Sequence, residues 1–289
     1  MTSASGGLPA VAYQGEPGAY GEEAVTAFFG DGVNPCPAAT FTAACAVVVA
    51  GGASAVVLPV ENSLAGTVGE SLDALAATAL TVVGELLLPI HHHLLGLPGA
   101  SLTDIREVAS HPQALAQCEP WLAQRGWQLR PAYNTAGAAR QVAEAGDPTL
   151  AAIASPAAAR QYGLIVLAGD LAAADENLTR FIVASRPGGV VPPARGPLAP
   201  GADAARTALV LFETRHVAGA LHDALGAFAD AGVSLSRIES RPTRASAWRY
   251  RFLVQVEGDA DEDPTRAALD ELRRRAHGVR VLGSFAAAR

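Results

Sequence analysis

The chain has 289 residues, half of them apolar and 17% charged, which excludes extended disorder and is long enough for two folded domains. Its net charge is −7, its positive side chains are all arginines and no basic run occurs, so nucleic acid and an anionic membrane surface are excluded as partners. Three scattered cysteines, no leader pattern and no bilayer-length apolar run predict a cytoplasmic protein with reduced thiols (Cys36, Cys45 and Cys118).

The first pattern is a strand, a glycine-rich loop and a helix. Residues 11–14 have a strand pattern, and helix-spaced apolar residues follow the loop 15–20 (GEPGAY) up to Gly30. Backbone N–H groups of Gly18, Ala19 and Tyr20 at such a helix start suit a phosphate or carboxylate. The spacing matches neither the dinucleotide nor the P-loop fingerprint, so a plain tight turn fits equally well.

A second strand is predicted at residues 53–58, with a helical stretch at 68–77. Between them lie Glu61, Asn62 and Ser63. Polar residues just beyond a strand's carboxyl end face the ligand crevice of an open α/β sheet, which makes these three candidates for a binding site. Asn and Ser are also common helix caps, so a capping cluster is the alternative.

Residues 81–95 read as one long extended stretch that carries three consecutive histidines, His91, His92 and His93. Neighbouring strand residues point to opposite faces, so the three cannot ligate one metal, and we predict no metal site. We interpret them as strand residues, one of which can line a pocket.

Residues 107–118 read as a short strand that enters a helix, with Pro112 at the first helical position. Ser110 lies at the helix start, and Gln113 and Gln117 are one turn apart and project to the same side. The pair Ser110-His111 lacks the glycine pattern of a hydrolase nucleophile, which favours a capping role.

Strand and helix patterns continue to alternate through residues 127–162, and this alternation predicts a mostly parallel sheet covered on both faces. At residues 175–181 a polar cluster then runs into an apolar strand. Thr179 and Arg180 stand at its start, where a hydroxyl beside a guanidinium suits an anion. An ordinary strand start with a solvated arginine is the alternative.

Residues 187–205 are rich in Pro and Gly and are predicted to be a flexible linker. The remaining 206–286 show strands and helices in the order β-α-β-β-α-β, the split βαβ arrangement. We expect a sensor or dimerisation module, since no catalytic cluster occurs there.

Taken together, these motifs resemble the prephenate dehydratase family over nearly the whole chain, with an ACT regulatory domain at the end. The resemblance rests on GEPGAY at 15–20, PVENS at 59–63, SHPQALAQC at 110–118 and NLTRF at 177–181. In the second domain it rests on residues 219–221 and 239–242. Two positions depart from the family pattern, Ala218 in place of proline and Ser234 in place of asparagine.

The resemblance implies an α/β fold: a two-lobed catalytic domain like the periplasmic binding proteins at 8–186, a linker, and a ferredoxin-like ACT domain at 206–286. It implies decarboxylative dehydration of prephenate to phenylpyruvate in phenylalanine biosynthesis, without metal or organic cofactor. L-Phenylalanine would inhibit a homodimer or homotetramer joined through ACT domains.

Site roles follow from the same resemblance. The implied catalytic residues are Thr179, Glu61, Ser110 and Gln117. Thr179 would bond the leaving hydroxyl, and Glu61 would supply its proton. The implied substrate-binding residues are Asn62, Ser63, Arg180, Phe181, Gly18, Ala19 and Tyr20. The implied phenylalanine-binding residues are Gly219, Ala220, Leu221, Ser234, Glu239, Ser240, Arg241 and Pro242.

Two other functions fit the same motifs. Arogenate differs from prephenate by an amine in place of the keto group, and nothing in the sequence excludes it as the substrate. A non-catalytic amino-acid-sensing protein is the second alternative, because two α/β lobes around a cleft are also how solute receptors are built.

Overall fold

A computed structural model describes residues 7–172, 176–243 and 249–288. The strands are β1 (Ala10–Gln14), β2 (Asn34–Ala38), β3 (Ala55–Asn62), β4 (Gly66–Thr67), β5 (Thr81–Pro89), β6 (His93–Gly96), β7 (Glu107–Ser110), β8 (Gln128–Pro131), β9 (Leu150–Ala154), β10 (Ile165–Ala168), β11 (Leu178–Ser185), β12 (Arg206–Glu213), β13 (Leu235–Pro242), β14 (Tyr250–Glu257) and β15 (His277–Ala286). The helices are α1 (Tyr20–Phe29), α2 (Phe41–Val49), α3 (Gly69–Ala76), α4 (Pro112–Gln117), α5 (Glu119–Leu122), α6 (Thr135–Ala145), α7 (Pro156–Tyr162), α8 (Ala220–Asp230) and α9 (Asp263–Arg275). None of these helices has the length and apolarity to cross a bilayer.

Lobe 1 is built on a sheet in the order β2-β1-β3-β11-β5, with β4 beside β3. Strand β1 is parallel to β2 and β3, whereas β11 is antiparallel to both β3 and β5. The sequence analysis missed β2 and α2. Strand β2 contains Pro35 and Pro37, which a sheet tolerates at its edge, where β2 lies.

Lobe 2 has a second sheet in the order β10-β6-β9-β7-β8. Strand β7 is parallel to β8 and β9, and β6 is antiparallel to β9 and β10. The prediction of a mostly parallel sheet is therefore wrong for both lobes. The chain crosses between the lobes twice. The first strand after each crossing, β6 in lobe 2 and β11 in lobe 1, runs antiparallel to its neighbours.

The two crossings explain the long extended stretch predicted at 81–95. It is two strands, because β5 ends in lobe 1 at Pro89 and β6 begins in lobe 2 at His93. The return crossing joins β10 to β11. Backbone bonds tie the crossings together, from Ile90 N to Asn177 O at 2.8 Å and from Leu171 N to His92 O at 2.9 Å.

The C-terminal domain confirms the predicted β-α-β-β-α-β order. Its antiparallel sheet runs β13-β14-β12-β15, and α8 and α9 pack on one face of that sheet. The other face carries Leu211, Leu253 and Phe285, which share an apolar core with the back of the lobe 1 sheet. At Gly283 an added Cβ would meet Val82 O at 2.0 Å, so this strand contact needs glycine.

The segment between the domains contains no helix or strand, yet it lies against lobe 1. Gly196 N donates to Phe28 O and Leu198 N to Ala27 O, both at 2.9 Å. A Cβ at Gly196 would meet Ala27 O at 2.1 Å. The predicted flexible linker is therefore bonded along the end of α1.

Candidate active site

A cavity of about 470 Å³ lies between the two lobes, next to the crossing segments. Several helices begin at its wall, among them α1 at Tyr20, α3 at Gly69 and α6 at Thr135. The first N–H groups of a helix lack partners within the helix, and the helix dipole adds partial positive charge there. Helix N-termini at the wall of one cavity of this size suit a small anion.

Thr179 and Asn62 lie opposite each other on β11 and β3, and both line the cavity. Asn62 Nδ2 lies 3.0 Å from Thr179 Oγ1 and 2.7 Å from Asn177 Oδ1. The threonine oxygen accepts from the amide, and no acceptor for its own proton occurs among the described residues. The Thr179 hydroxyl can therefore donate to a molecule in the cavity.

Gln117 of lobe 2 extends this network across the cleft. Its Oε1 accepts from Asn177 Nδ2 at 3.0 Å and lies 2.8 Å from His92 Nε2, while its Nε2 donates to Asn62 Oδ1 at 3.3 Å. His92 Nδ1 lies 3.0 Å from the Tyr20 hydroxyl. One hydrogen-bonded chain thus joins lobe 1, the crossing segments and lobe 2.

The cavity wall carries few charges. No arginine occurs among its described lining residues, whose ionisable groups include Glu70, Tyr133 and two histidines. Burial lowers the pKa of both His92 and His111, and it raises the pKa of the Tyr20 hydroxyl well above its usual value. No group of three metal-binding side chains is found in the described part of the chain.

The structure does not bring Glu61 and Arg180 into this cavity. Successive strand residues point to opposite faces, so these neighbours of Asn62 and Thr179 lie on the back of the sheet. There, Arg180 Nη1 donates to Glu85 Oε1 at 3.0 Å, and its Nε lies 3.4 Å from Glu61 Oε2. This placement contradicts the predicted proton-donor role of Glu61 and the predicted carboxylate-binding role of Arg180.

The C-terminal domain covers this back face. Glu85, 1% exposed, accepts from Gln255 Nε2 at 3.2 Å and from Ala288 N at 3.0 Å. Arg237 donates to Val60 O at 3.0 Å, one residue before Glu61. The charged residues behind the active-site strands therefore belong to the domain interface.

Three other predicted site residues lie next to the cavity but do not line it. Ser110 is fully buried, and its Oγ donates to Ile153 O at 2.6 Å, which ties β7 to β9. Ser63 Oγ accepts from Leu178 N at 3.0 Å. Gly18, at φ 83°, packs so closely on lobe 2 that a Cβ would meet Ala158 Cα at 2.7 Å. We interpret all three as structural supports.

The remaining predicted residues, Ala19, Tyr20 and Phe181, do line the cavity. The sequence analysis missed the site positions of Asn177, His111 and Tyr133, and it did not single out His92 among the three histidines. Tyr133 follows the end of β8. It could have been found by the same rule that selected Glu61, Asn62 and Ser63, namely that polar residues just beyond a strand's carboxyl end face the ligand crevice. No sequence signal selects His92, because its place depends on the crossing between lobes.

In the C-terminal domain, only some of the predicted effector residues surround one groove. Gly219, at φ 81°, precedes α8, and Ala220 and Leu221 line a groove of about 360 Å³. Ser234 is exposed just before β13. Glu239 accepts from the Thr67 hydroxyl of lobe 1 at 2.6 Å.

The other members of that set also lie away from the groove. Arg241 pairs with Asp73 of lobe 1 at 2.8 Å, and Pro242 lines the gap between the domains. Ser240 is exposed on β13. Within one chain, Glu239, Arg241 and Pro242 thus lie next to lobe 1 rather than around the groove.

Comparison with known proteins places these features in a family. Residues 11–188 match the family model described as prephenate dehydratase, and residues 208–274 match the ACT domain. The prephenate dehydratase of Mycobacterium tuberculosis is 39% identical over 287 residues, which cover 95% of this chain and 86% of that protein. Arogenate dehydratase 2 of Petunia hybrida is 37% identical over 289 residues, covering 95% and 71%. The structure of the Arthrobacter aurescens prephenate dehydratase with L-Phe has a TM-score of 0.86 and 34% identity, covering 96% and 90%.

Proposed function

Because this chain belongs to the prephenate dehydratase family and carries an ACT domain, we propose that the cleft between its lobes converts prephenate to phenylpyruvate. Members of this family are hydro-lyases. The observation that supports the site most directly is the bond from Asn62 to the Thr179 hydroxyl inside the cavity.

The reaction consists of two bond cleavages that together make the ring aromatic. The bond between the ring and its carboxylate breaks, CO₂ leaves, and the bonding electrons enter the ring. The bond to the ring hydroxyl then breaks, and the departing oxygen takes one proton to become water. Prephenate is a dianion and phenylpyruvate a monoanion, so each turnover consumes one proton. Aromatisation drives the reaction, and the protein mainly places the dianion and assists the leaving hydroxyl.

Thr179 fits the second role. A threonine hydroxyl is too weak an acid to give up its proton outright, so it acts by hydrogen-bonding the leaving oxygen as negative charge develops. Asn62 holds the threonine oxygen from the other side, which directs its proton into the cavity. Gln117 and Asn177 in turn fix the orientation of the asparagine amide.

The carboxylates of prephenate are assigned to the helix ends. The N-termini of α1, α3 and α6 meet the cavity from both lobes, and Asn134 and Thr135 add polar side chains. A site with donors on both lobes binds best when the lobes close on the ligand. Partial charges at helix ends replace the arginine contact that the sequence suggested.

Incubation of the purified protein with prephenate and, separately, with arogenate tests the proposal. Formation of phenylpyruvate from prephenate supports it, and phenylalanine formed from arogenate with a higher kcat/KM identifies the amine as the preferred substrate. No turnover of either compound would favour a non-catalytic binding protein.

For regulation, we propose that L-phenylalanine binds the ACT domain in a homodimer or homotetramer and inhibits the cleft. The relative from Arthrobacter aurescens was solved with L-Phe. In this chain β13 contacts lobe 1 through Glu239–Thr67 and Arg241–Asp73, and Asp73 lies on α3, which begins at the cavity. An effector that shifts β13 can therefore bias the position of α3.

Calorimetric titration with L-phenylalanine, alongside initial rates and light scattering, tests this regulation. Binding, inhibition and an oligomer are the expected results. Absence of binding at millimolar phenylalanine contradicts the regulatory proposal and leaves the dehydratase proposal standing.

A further inference from the structure

We propose that His92 supplies the cation that a dianionic substrate meets in the cleft: its imidazole is neutral in the empty protein and takes up a proton when the dianion binds. This inference rests on the proposed function and adds a charged binding residue to it. The helix ends supply only partial charges, and the histidine would add a full one.

The hydrogen bonds around His92 can accommodate both its neutral and its charged form. Gln117 Oε1 is held as an acceptor because the same amide donates its N–H to Asn62, so the contact at 2.8 Å needs a proton on His92 Nε2. The Tyr20 hydroxyl has one proton, which can reach Nδ1 of a neutral ring at 3.0 Å or His91 O at 2.7 Å. With its proton on His91 O, the hydroxyl accepts from Nδ1 of a charged ring. Rotation of the Tyr20 hydroxyl from Nδ1 to His91 O therefore leaves both ring nitrogens with a partner after His92 gains a proton.

The surroundings of His92 lack the negative charge that such a ring needs. His92 is 3% exposed, and burial lowers its pKa; the adjacent His91 and His93 lower it further, and only the bond to Gln117 opposes them. The nearest ionisable group on α1 is the Tyr20 hydroxyl. Besides burial, Glu23 of α1 and Cys118, just after α4, both raise the pKa of that hydroxyl. No carboxylate lies within ion-pair distance of His92 in the described ranges.

An anion in the cavity would provide the missing charge. The chain has no lysine, and the described cavity wall has no arginine, so His92 and His111 are the side chains there that can gain positive charge near neutral pH. A negative charge close to a histidine raises its pKa. His111 is less suited, because its Nδ1 accepts from Gln113 N at 3.3 Å and a charged ring would lose this cap.

Calorimetry in two buffers of different ionisation enthalpy measures the protons taken up on binding. The probe is a saturated cyclohexane with a carboxylate and a carboxymethyl arm on one ring carbon, a dianion that cannot eliminate. Wild type should take up about one proton more per bound ligand than His92→Gln. Probe affinity should fall up to about tenfold per pH unit as pH rises between the pKa values of the free and bound states.

The exposed His91, which pairs with Asp170 at 3.3 Å, gives the matched control, and His91→Gln should behave as wild type. Tyr20→Phe removes the Nδ1 acceptor, so proton uptake should fall there even if His92→Gln fails to fold. Equal uptake by wild type and His92→Gln, or loss of uptake in His111→Asn alone, would overturn the inference.

The kcat/KM of prephenate against pH separates this inference from the proposed function. Wild type should show an alkaline decline that His92→Gln lacks, and the same decline in both proteins contradicts the role of His92. Failure of wild type to turn over prephenate at any pH would instead refute the dehydratase proposal.

Discussion

Replacement of Arg180 by methionine should destabilise the protein and leave substrate affinity nearly unchanged. The substitution keeps an apolar stem and removes the guanidinium that neutralises Glu85. The carboxylate, 1% exposed, would keep the N–H bonds from Gln255 and Ala288 but lose its charged partner. Breaking a buried ion pair by removing one partner costs about 3–5 kcal/mol.

The lower end of that range applies, because the Arg180 side chain is itself 28% exposed and solvent screens part of its charge. A loss of about 3 kcal/mol corresponds to a drop in melting temperature of roughly 6–12 °C. Glu61→Gln provides the control: this carboxylate is 38% exposed and 3.4 Å from Arg180 Nε, so its loss should cost less than about 1 kcal/mol.

The assays are urea unfolding and steady-state kinetics on the same preparations. Glu85→Gln added to Arg180→Met should recover part of the stability, because it removes the charge left unpaired. The KM of prephenate should stay within about threefold of wild type. A tenfold higher KM with unchanged stability would refute this reasoning and return Arg180 to the substrate.

Thr179→Ala should lower kcat by a factor on the order of 10² with folding intact, whereas Thr179→Ser should retain most activity; a near-normal kcat in the alanine variant argues against the proposed role. Ser110→Ala should cost about 1 kcal/mol of unfolding free energy, because Ile153 O loses its buried donor, with kcat close to wild type. A large kcat loss at full stability would show that Ser110 acts in catalysis. Arg241→Ala should weaken phenylalanine inhibition more than phenylalanine binding, as compared by initial rates and calorimetry, and equal losses would contradict coupling through Asp73.

Much of the architecture was readable from local patterns. The glycine loop before α1, the proline at the start of α4 and the β-α-β-β-α-β order depend on residues close in sequence, and all are present. The relation to prephenate dehydratases was likewise visible, because it rests on four short motifs in series. Strand direction was not readable from the sequence, because the apolar pattern of a strand does not tell whether the chain enters it from the same lobe or from the other lobe.

The sequence by itself determined which residues gather near the cleft, and the tertiary structure decided which of them enter it. Thr179 and Arg180 are neighbours in one motif, yet strand alternation directs the first into the cavity and the second toward Glu85. Which face is the cavity depends on where lobe 2 and the ACT domain pack. His92 shows the reverse case: an unremarkable histidine in sequence meets Tyr20 and Gln117, 72 and 25 residues away, only because the chain crosses between lobes there. Contacts over such separations are made by packing of whole elements, which local patterns do not encode.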